Sequence, residues 1–270
     1  MFKIKESKSK PKVGFFNITS CAGCQFNLLF ISYDLVKLIE KLDITYFPMV
    51  RENSNSDGPF DIAFIEGSVT KKEEIKKVKE IRKKSKLVIA FGTCATYGGV
   101  PSIKNFLDLN IIEEKIYLAP HAVRTLKTAD GIDKYIKVDY YLRGCPFDKQ
   151  EFLRIITELL VGKIPKEVEQ PVCVECRERY NVCLLQQGLP CMGPITHGGC
   201  EAVCTGDGTP CVGCRGPIPD LNLDAQVELF KKMGMTKKDI LSLFRTFSGS
   251  SKAYMAFGEK GIKKWQKQYK

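Results

Sequence analysis

Up to residue 160 the apolar positions follow two alternating rhythms. Short apolar, β-branched or aromatic runs occur at 13–19, 44–50, 61–68, 87–93 and 138–143. Such runs read as strands. Between them, residues 26–42, 71–84 and 148–160 repeat apolar side chains at three- and four-residue spacing, the helical period. Ser68 and Thr70 are N-cap candidates for the second helix, and the third follows Pro146. Alternation of strand and helix predicts a doubly wound parallel sheet. Open sheets of this kind bind ligands outside the carboxyl ends of their strands.

Gly162-Lys-Ile-Pro165 ends this pattern and marks a boundary, giving domains 1–165 and 166–270. From 166 to about 220 periodicity disappears and Cys, Gly and Pro dominate. Little apolar material is on offer for a conventional core, so this stretch is expected to fold around metal. Residues 223–233 and 237–247 then read as two short helices joined at Gly234. Trp265, the only tryptophan, is expected to pack against a neighbouring helix or subunit. No apolar run reaches 18 residues, so no membrane span is expected. The charged start, without an apolar h-region or twin arginine, carries no secretion signal and points to the cytoplasm.

Cysteine content changes the picture. Twelve cysteines in 270 residues would suit six disulfides in a secreted chain, but in a reducing compartment such density means metal. The formal charge of +11 reads as lysine-rich solvated helix faces, residues 71–86 above all. No aromatic-interleaved basic motif is present, so no nucleic-acid partner is expected.

The cysteines fall into sets of four. Cys21 and Cys24 follow the first strand, Cys94 ends the fourth and Cys145 the fifth. All four are therefore expected at the carboxyl edge of the sheet. Glu66 ends the third strand at the same edge. It reads either as a functional group that holds a loop or helps protons move, or as a solvated turn residue. The glycines of Gly92-Thr-Cys94-Ala-Thr-Tyr-Gly98-Gly99 would let the backbone approach a metal group closely. Cys173, Cys176, Cys183, Cys191, Cys200, Cys204, Cys211 and Cys214 crowd the second half. One cubic iron–sulfur cluster takes four thiolates. Four-Cys zinc sites pair two short C-x-x-C knuckles. The second half admits that reading, but Cys94 and Cys145 belong to no knuckle.

Cys21-Ala-Gly-Cys24, Glu66-Gly, Gly-Thr-Cys94-Ala-Thr-Tyr-Gly-Gly and Arg-Gly-Cys145-Pro resemble the small, electron-transferring subunit of nickel–iron hydrogenases. The same module recurs in the cluster-bearing 20 kDa subunit of respiratory complex I. Leu189-Pro-Cys191-Met-Gly-Pro-Ile-Thr and Pro210-Cys211-Val-Gly-Cys214 extend the likeness to the hydrogenase small subunit's second half. The motifs are similar to the cytoplasmic F420-reducing, viologen-reducing and NAD(P)-linked sulfhydrogenase group.

The resemblance implies a flavodoxin-like domain followed by an irregular, ferredoxin-like iron–sulfur domain with short C-terminal helices. It implies three [4Fe-4S] clusters: a proximal one on Cys21, Cys24, Cys94 and Cys145, a distal one on Cys173, Cys176, Cys183 and Cys191, and a medial one on Cys200, Cys204, Cys211 and Cys214. Three oxidised clusters would lower the charge of +11 to about +5. It implies a separate large subunit carrying the nickel–iron centre, and a flavin- or cluster-bearing acceptor subunit. The physiological acceptor (NAD(P), F420, ferredoxin, heterodisulfide or polysulfide) stays open. Periplasmic-type relatives place His-x-x-Cys where Cys173-Val-Glu-Cys176 stands, and often lack a thiol at the position of Cys204. Both departures imply lower potentials. Spacing alone leaves open an exchange of Cys191 and Cys200 between the sets. A multi-cluster carrier from another redox complex is the alternative function. Of the two histidines, His197 reads as a surface residue, with a hydrogen bond to a cluster sulfur as the other option, and His121 as structural.

Overall fold

The computed structural model describes residues 10–30, 37, 40–116 and 124–258. The chain divides into two compact units, Met1–Glu167 and Val168–Lys270.

Among the described residues, five parallel strands build the first unit: β1 (Lys12–Asn17), β2 (Asp43–Tyr46), β3 (Phe60–Glu66), β4 (Ser85–Phe91) and β5 (Tyr140–Leu142). Their spatial order is β2-β1-β3-β4-β5. This is the flavodoxin-type order, with its topological switch point between β1 and β3. Among the described residues the sheet is accompanied by α1 (Gly23–Leu29), α2 (Lys72–Lys84), α3 (Thr93–Tyr97), α4 (Leu109–Ile116) and α5 (Lys149–Leu160).

Alternation along the strands makes two cores, one per face. Phe15, Phe64, Ile89 and Phe91 pack with Leu28 of α1 and with Phe152, Ile155 and Ile156 of α5. On the opposite face, Phe16, Ala63, Ile65 and Ala90 pack with Val78 and Ile81 of α2 and Ala95 of α3. With helices on both faces, β3 and β4 are apolar nearly throughout, which is why they read as continuous runs.

Local chemistry fixes the helix starts. Asp148 caps α5, its Oδ1 accepting from the N–H groups of Gln150 (2.9 Å) and Glu151 (3.0 Å). Asp148→Ala should cost about 1 kcal/mol, read as a lower denaturant midpoint for the first unit. At α2 the cap expected from Ser68 or Thr70 comes from inside the helix instead. Glu74 Oε2 accepts from the N–H groups of Thr70 (2.7 Å) and Lys71 (3.0 Å).

Other boundaries moved too. β2 stops at Tyr46 rather than 50, because Phe47 O accepts from Val50 N (3.0 Å) and Arg51 N (2.9 Å) to make a turn. Pro48 has no N–H to offer a ladder there. α1 begins at Gly23, three residues before the expected start, and Phe30 is its C-cap. Residues 31–36 and 38–39 of the expected helix 26–42 lie outside the described residues, as do His121 and Trp265.

The second unit holds α6 (Val172–Glu178), α7 (Val203–Gly206), α8 (Leu223–Lys232) and α9 (Lys237–Ser248), with helix again at 252–258. It corrects the expectation of a segment without an apolar core. Val172, Met192, Ile195 and Ala202 from the irregular stretch pack against Val227, Phe230, Ile240, Phe244 and Tyr254. The missing material comes from the C-terminal helices, which lie outside the cysteine-rich stretch in sequence. Among the described residues no helix is long and apolar enough to cross a membrane.

Candidate metal centre

The first four cysteines meet where the parallel strands end. Cys21 is exposed in the loop after β1, and Cys24 is buried in the first turn of α1. Cys94 sits in α3, three residues past the end of β4. Cys145 follows β5 by three residues. Backbone bonds lace the last two segments together. Gly92 N donates to Leu142 O (2.8 Å), Thr93 N to Gly144 O (3.0 Å), and Gly144 N to Thr93 Oγ1 (3.1 Å).

Glycine matters at two points. Gly92 has φ 86, and a Cβ there would overlap Cys24 Sγ. At Gly99 (φ 55) a Cβ would lie 2.5 Å from Cys94 Sγ.

Glu66, read either way from the sequence, is no solvated turn residue. It is 2% exposed, and its oxygens accept from Cys24 N (3.0 Å) and Gln25 N (3.2 Å). The last residue of β3 thereby holds the first turn of α1, and with it Cys24. Burial raises its carboxyl above the usual carboxylate range, while the N–H donors of Cys24 and Gln25 pull it back.

Electrostatics tie the four thiols together. Burial pushes Cys24 far above the ordinary thiol range, and Glu66, Cys94 and Cys145 add to it. Cys94 is pushed up to about 12, chiefly by burial and then by Cys145, Cys21 and Glu66. Thiolates collected in a desolvated place repel one another and need a compensating cation. Nearby, Arg143 donates through Nε to Tyr97 Oη (3.1 Å) of α3 and through a terminal nitrogen to Glu167 (2.8 Å).

In the second unit Cys173 and Cys176 lie on α6, Cys183 is exposed and Cys191 buried. Burial pushes Cys173 up to about 11, with Cys191, Cys176 and Cys183 adding to it in that order. Cys191 is raised by burial, opposed by the N–H groups of Gly193 and Cys211. Asn181 Nδ2 points at Cys176 Sγ (3.6 Å), and Thr205 Oγ1 lies 3.1 Å from the same sulfur.

Cys200, Cys211 and Cys214 gather nearby, with Cys204 exposed on α7. Cys200 is pushed up to about 12 by burial and Glu175, against the Ala202 N–H and Arg215. Burial raises Cys211 strongly, and Cys191 and Cys214 add to that. The two sets adjoin, since Cys211 N donates to Cys191 Sγ (3.3 Å). Among the described residues, no three His, Cys, Asp or Glu side chains close on a point that would hold a single metal ion.

His197, expected at the surface, is 3% exposed. Its backbone N–H donates to Gly216 O (3.0 Å), and Nδ1 lies 2.6 Å from Val168 O. Glu175 and Arg215 are site residues that the sequence motifs did not single out. Glu175 stands between two cysteines, the one signal that was available.

An open parallel sheet gathering four cysteines at its carboxyl edge, joined to a cysteine-rich unit, defines an oxidoreductase subunit of the iron–sulfur kind. The chain belongs to the family of the NADH ubiquinone oxidoreductase 20 kDa subunit, whose model matches residues 21–159. Within it the chain stands with the small subunits of nickel–iron hydrogenases. It is 34% identical to Sulfhydrogenase 2 subunit delta of Pyrococcus furiosus, over 88% of this chain and 99% of that one. It is also 34% identical to a chain of the vhu F420-non-reducing hydrogenase of Methanocaldococcus jannaschii, over 79% of this chain and 84% of that one. Among solved structures, a chain of an NAD+-reducing [NiFe]-hydrogenase in the H2-reduced state matches with a TM-score of 0.53 and 26% identity, covering 58% of this chain and 95% of that one.

Proposed function

We propose that this chain is the electron-transfer subunit of a nickel–iron hydrogenase and holds three [4Fe-4S] clusters in its twelve cysteines. The observation that carries this reading is the convergence of Cys21, Cys24, Cys94 and Cys145, from three distant segments, on one sheet edge. Glycine backbone is cleared around two of their sulfurs, at Gly92 and Gly99. A soft thiolate donor set suits iron–sulfur groups. When bound, the clusters supply one-electron redox chemistry, which the protein orients and tunes.

In this reading the first unit carries the proximal set. The second carries the distal set (Cys173, Cys176, Cys183, Cys191) and the medial set (Cys200, Cys204, Cys211, Cys214). Glu66 holds Cys24 in place. With every cysteine assigned, the nickel–iron centre belongs on a separate large subunit. Cys173 and Cys204 add negative charge to their sites, which suits a low-potential acceptor bearing a flavin, F420, NAD(P) or ferredoxin. Twelve cysteines with no disulfide among them suit a reducing cytoplasm.

Iron and acid-labile sulfide are to be counted on protein purified without oxygen. About twelve irons per chain are expected; four or fewer would overturn the three-cluster reading. Nickel should co-purify on a larger partner. An iron-loaded complex without nickel would instead assign the chain to another redox assembly.

A further inference from the structure

We propose that Glu175 positions Cys200 and sets the electron affinity of the group held there. The inference deepens the three-cluster reading and rests on it. Glu175 lies between Cys173 and Cys176 on α6, so sequence order would place it with the distal set. Its carboxylate reaches the next set instead. It accepts from the N–H groups of Gly199, Cys200 (3.3 Å) and Ala202 (3.1 Å), and Oε2 lies 3.8 Å from Cys200 Sγ.

The loop is shaped to receive an anion. Glu201 and Ala202 are non-glycine residues with φ of 54 and 51. Left-handed backbone of this kind turns successive N–H groups toward one point, making an anion-binding concavity. It is strained for a side-chain-bearing residue unless its surroundings compensate. Here the carboxylate of Glu175 occupies the concavity. The fit is close, since a Cβ on Gly198 would lie 2.8 Å from Glu175 Oε1.

A positive charge near Cys200 opposes it. Arg215 is 3% exposed, and its Nε donates to Gly198 O (2.6 Å), one residue before the loop's first donor. Cys200 thus feels both a carboxylate and a buried guanidinium, with opposite signs. A negative charge close to the sulfur disfavours an added electron and lowers the midpoint potential. Because Glu175 belongs to the helix that carries Cys173 and Cys176, any shift of that helix alters the charge felt at Cys200.

The test uses the intact complex and three variants. The resonance of the Cys200 set is first identified as the paramagnetic signal lost in Cys200→Ser. In Glu175→Gln, the reduced-to-oxidised ratio of that signal at fixed potential should rise about tenfold, which for one electron is about 59 mV. Amide hydrogen exchange at Gly199, Cys200 and Ala202 should also quicken at least tenfold. Glu201→Gln removes the same charge from the exposed side of the loop and should leave both readouts within twofold of wild type. A Glu175→Gln midpoint within twofold of wild type, or an equal shift in Glu201→Gln, overturns the inference. If Glu175→Gln loses iron, Glu175→Asp is read instead. It keeps the charge but draws it back by one methylene, so faster exchange with a raised midpoint supports the proposal, and wild-type values of either overturn it. If Cys200→Ser removes no signal that the wild-type complex shows, the cluster reading itself is overturned. A signal that is present but unmoved by Glu175→Gln overturns this inference alone.

Discussion

Gly92→Ala should strip the first site of its iron while the rest of the subunit still folds. Gly92 has φ 86 and ψ 171 at the N-cap of α3. Only glycine adopts that region readily, and any other residue costs about 1–3 kcal/mol there. The added methyl group would also occupy the space of Cys24 Sγ. Relief requires moving either that sulfur or the start of α3, which carries Cys94. Each route displaces one of the four thiols, and Thr93, bonded to Gly144, passes the disturbance on to the segment of Cys145. Iron and sulfide should therefore fall by about four per chain. On the proposed reading, where electrons from a large subunit enter at this site, hydrogen-dependent dye reduction should fall at least a hundredfold. Far-ultraviolet circular dichroism should stay within a few per cent of wild type. Full iron content in this variant would mean that the four cysteines do not act as one site.

Phe64→Ala should destabilise the first unit by about 3–5 kcal/mol, the usual range for removing a fully buried aromatic. Phe64 has no exposed surface. It stacks on Phe15 at 4.8 Å between ring centroids and meets Phe91 at 5.5 Å and Phe152 at 5.6 Å. These rings come from three adjacent strands and α5, so one cavity would loosen both the sheet and the helix over it. In a unit of this size the loss lowers the melting temperature by about 6–20 °C. The cysteines stand just beyond the ends of these strands, so iron should also leave at a lower temperature. A melting temperature within 2 °C of wild type would show that the cavity collapses without penalty.

Much of the first unit was legible because its information is local. β3 and β4 are covered by helices on both faces, so their residues are apolar in unbroken runs, and such runs are visible in one dimension. The helices of the first and second units repeat at their own period for the same reason. Strand ends were less legible. β2 fell short at Phe47, although Pro48 was a readable warning. The cap of α2 is not readable locally, because Glu74 folds back onto the N–H groups of Thr70 and Lys71, near which Ser68 and Thr70 offer equally suitable cap side chains.

Burial was the part that local pattern could not supply. His197 sits in a run of glycine and polar residues, yet it is inside because backbone segments on either side close over it. The irregular stretch lacks a core of its own because Phe230, Phe244 and Tyr254, which complete that core, come later in the chain. Glu66 gave no local sign of whether it faced water or the N–H groups of α1.

By itself, then, the sequence determined the alternation of elements, the number of cysteines and their motif spacing, since these depend on residue identity and short-range periodicity. The tertiary structure alone decided which groups surround the sulfurs: Glu66 behind Cys24, the cleared backbone at Gly92, and Glu175 and Arg215 acting with opposite charge on Cys200. Glu66 is 42 residues from Cys24 along the chain, and Glu175 is 25 from Cys200. Their charge acts through space over a few ångströms, so only the folded chain reveals it.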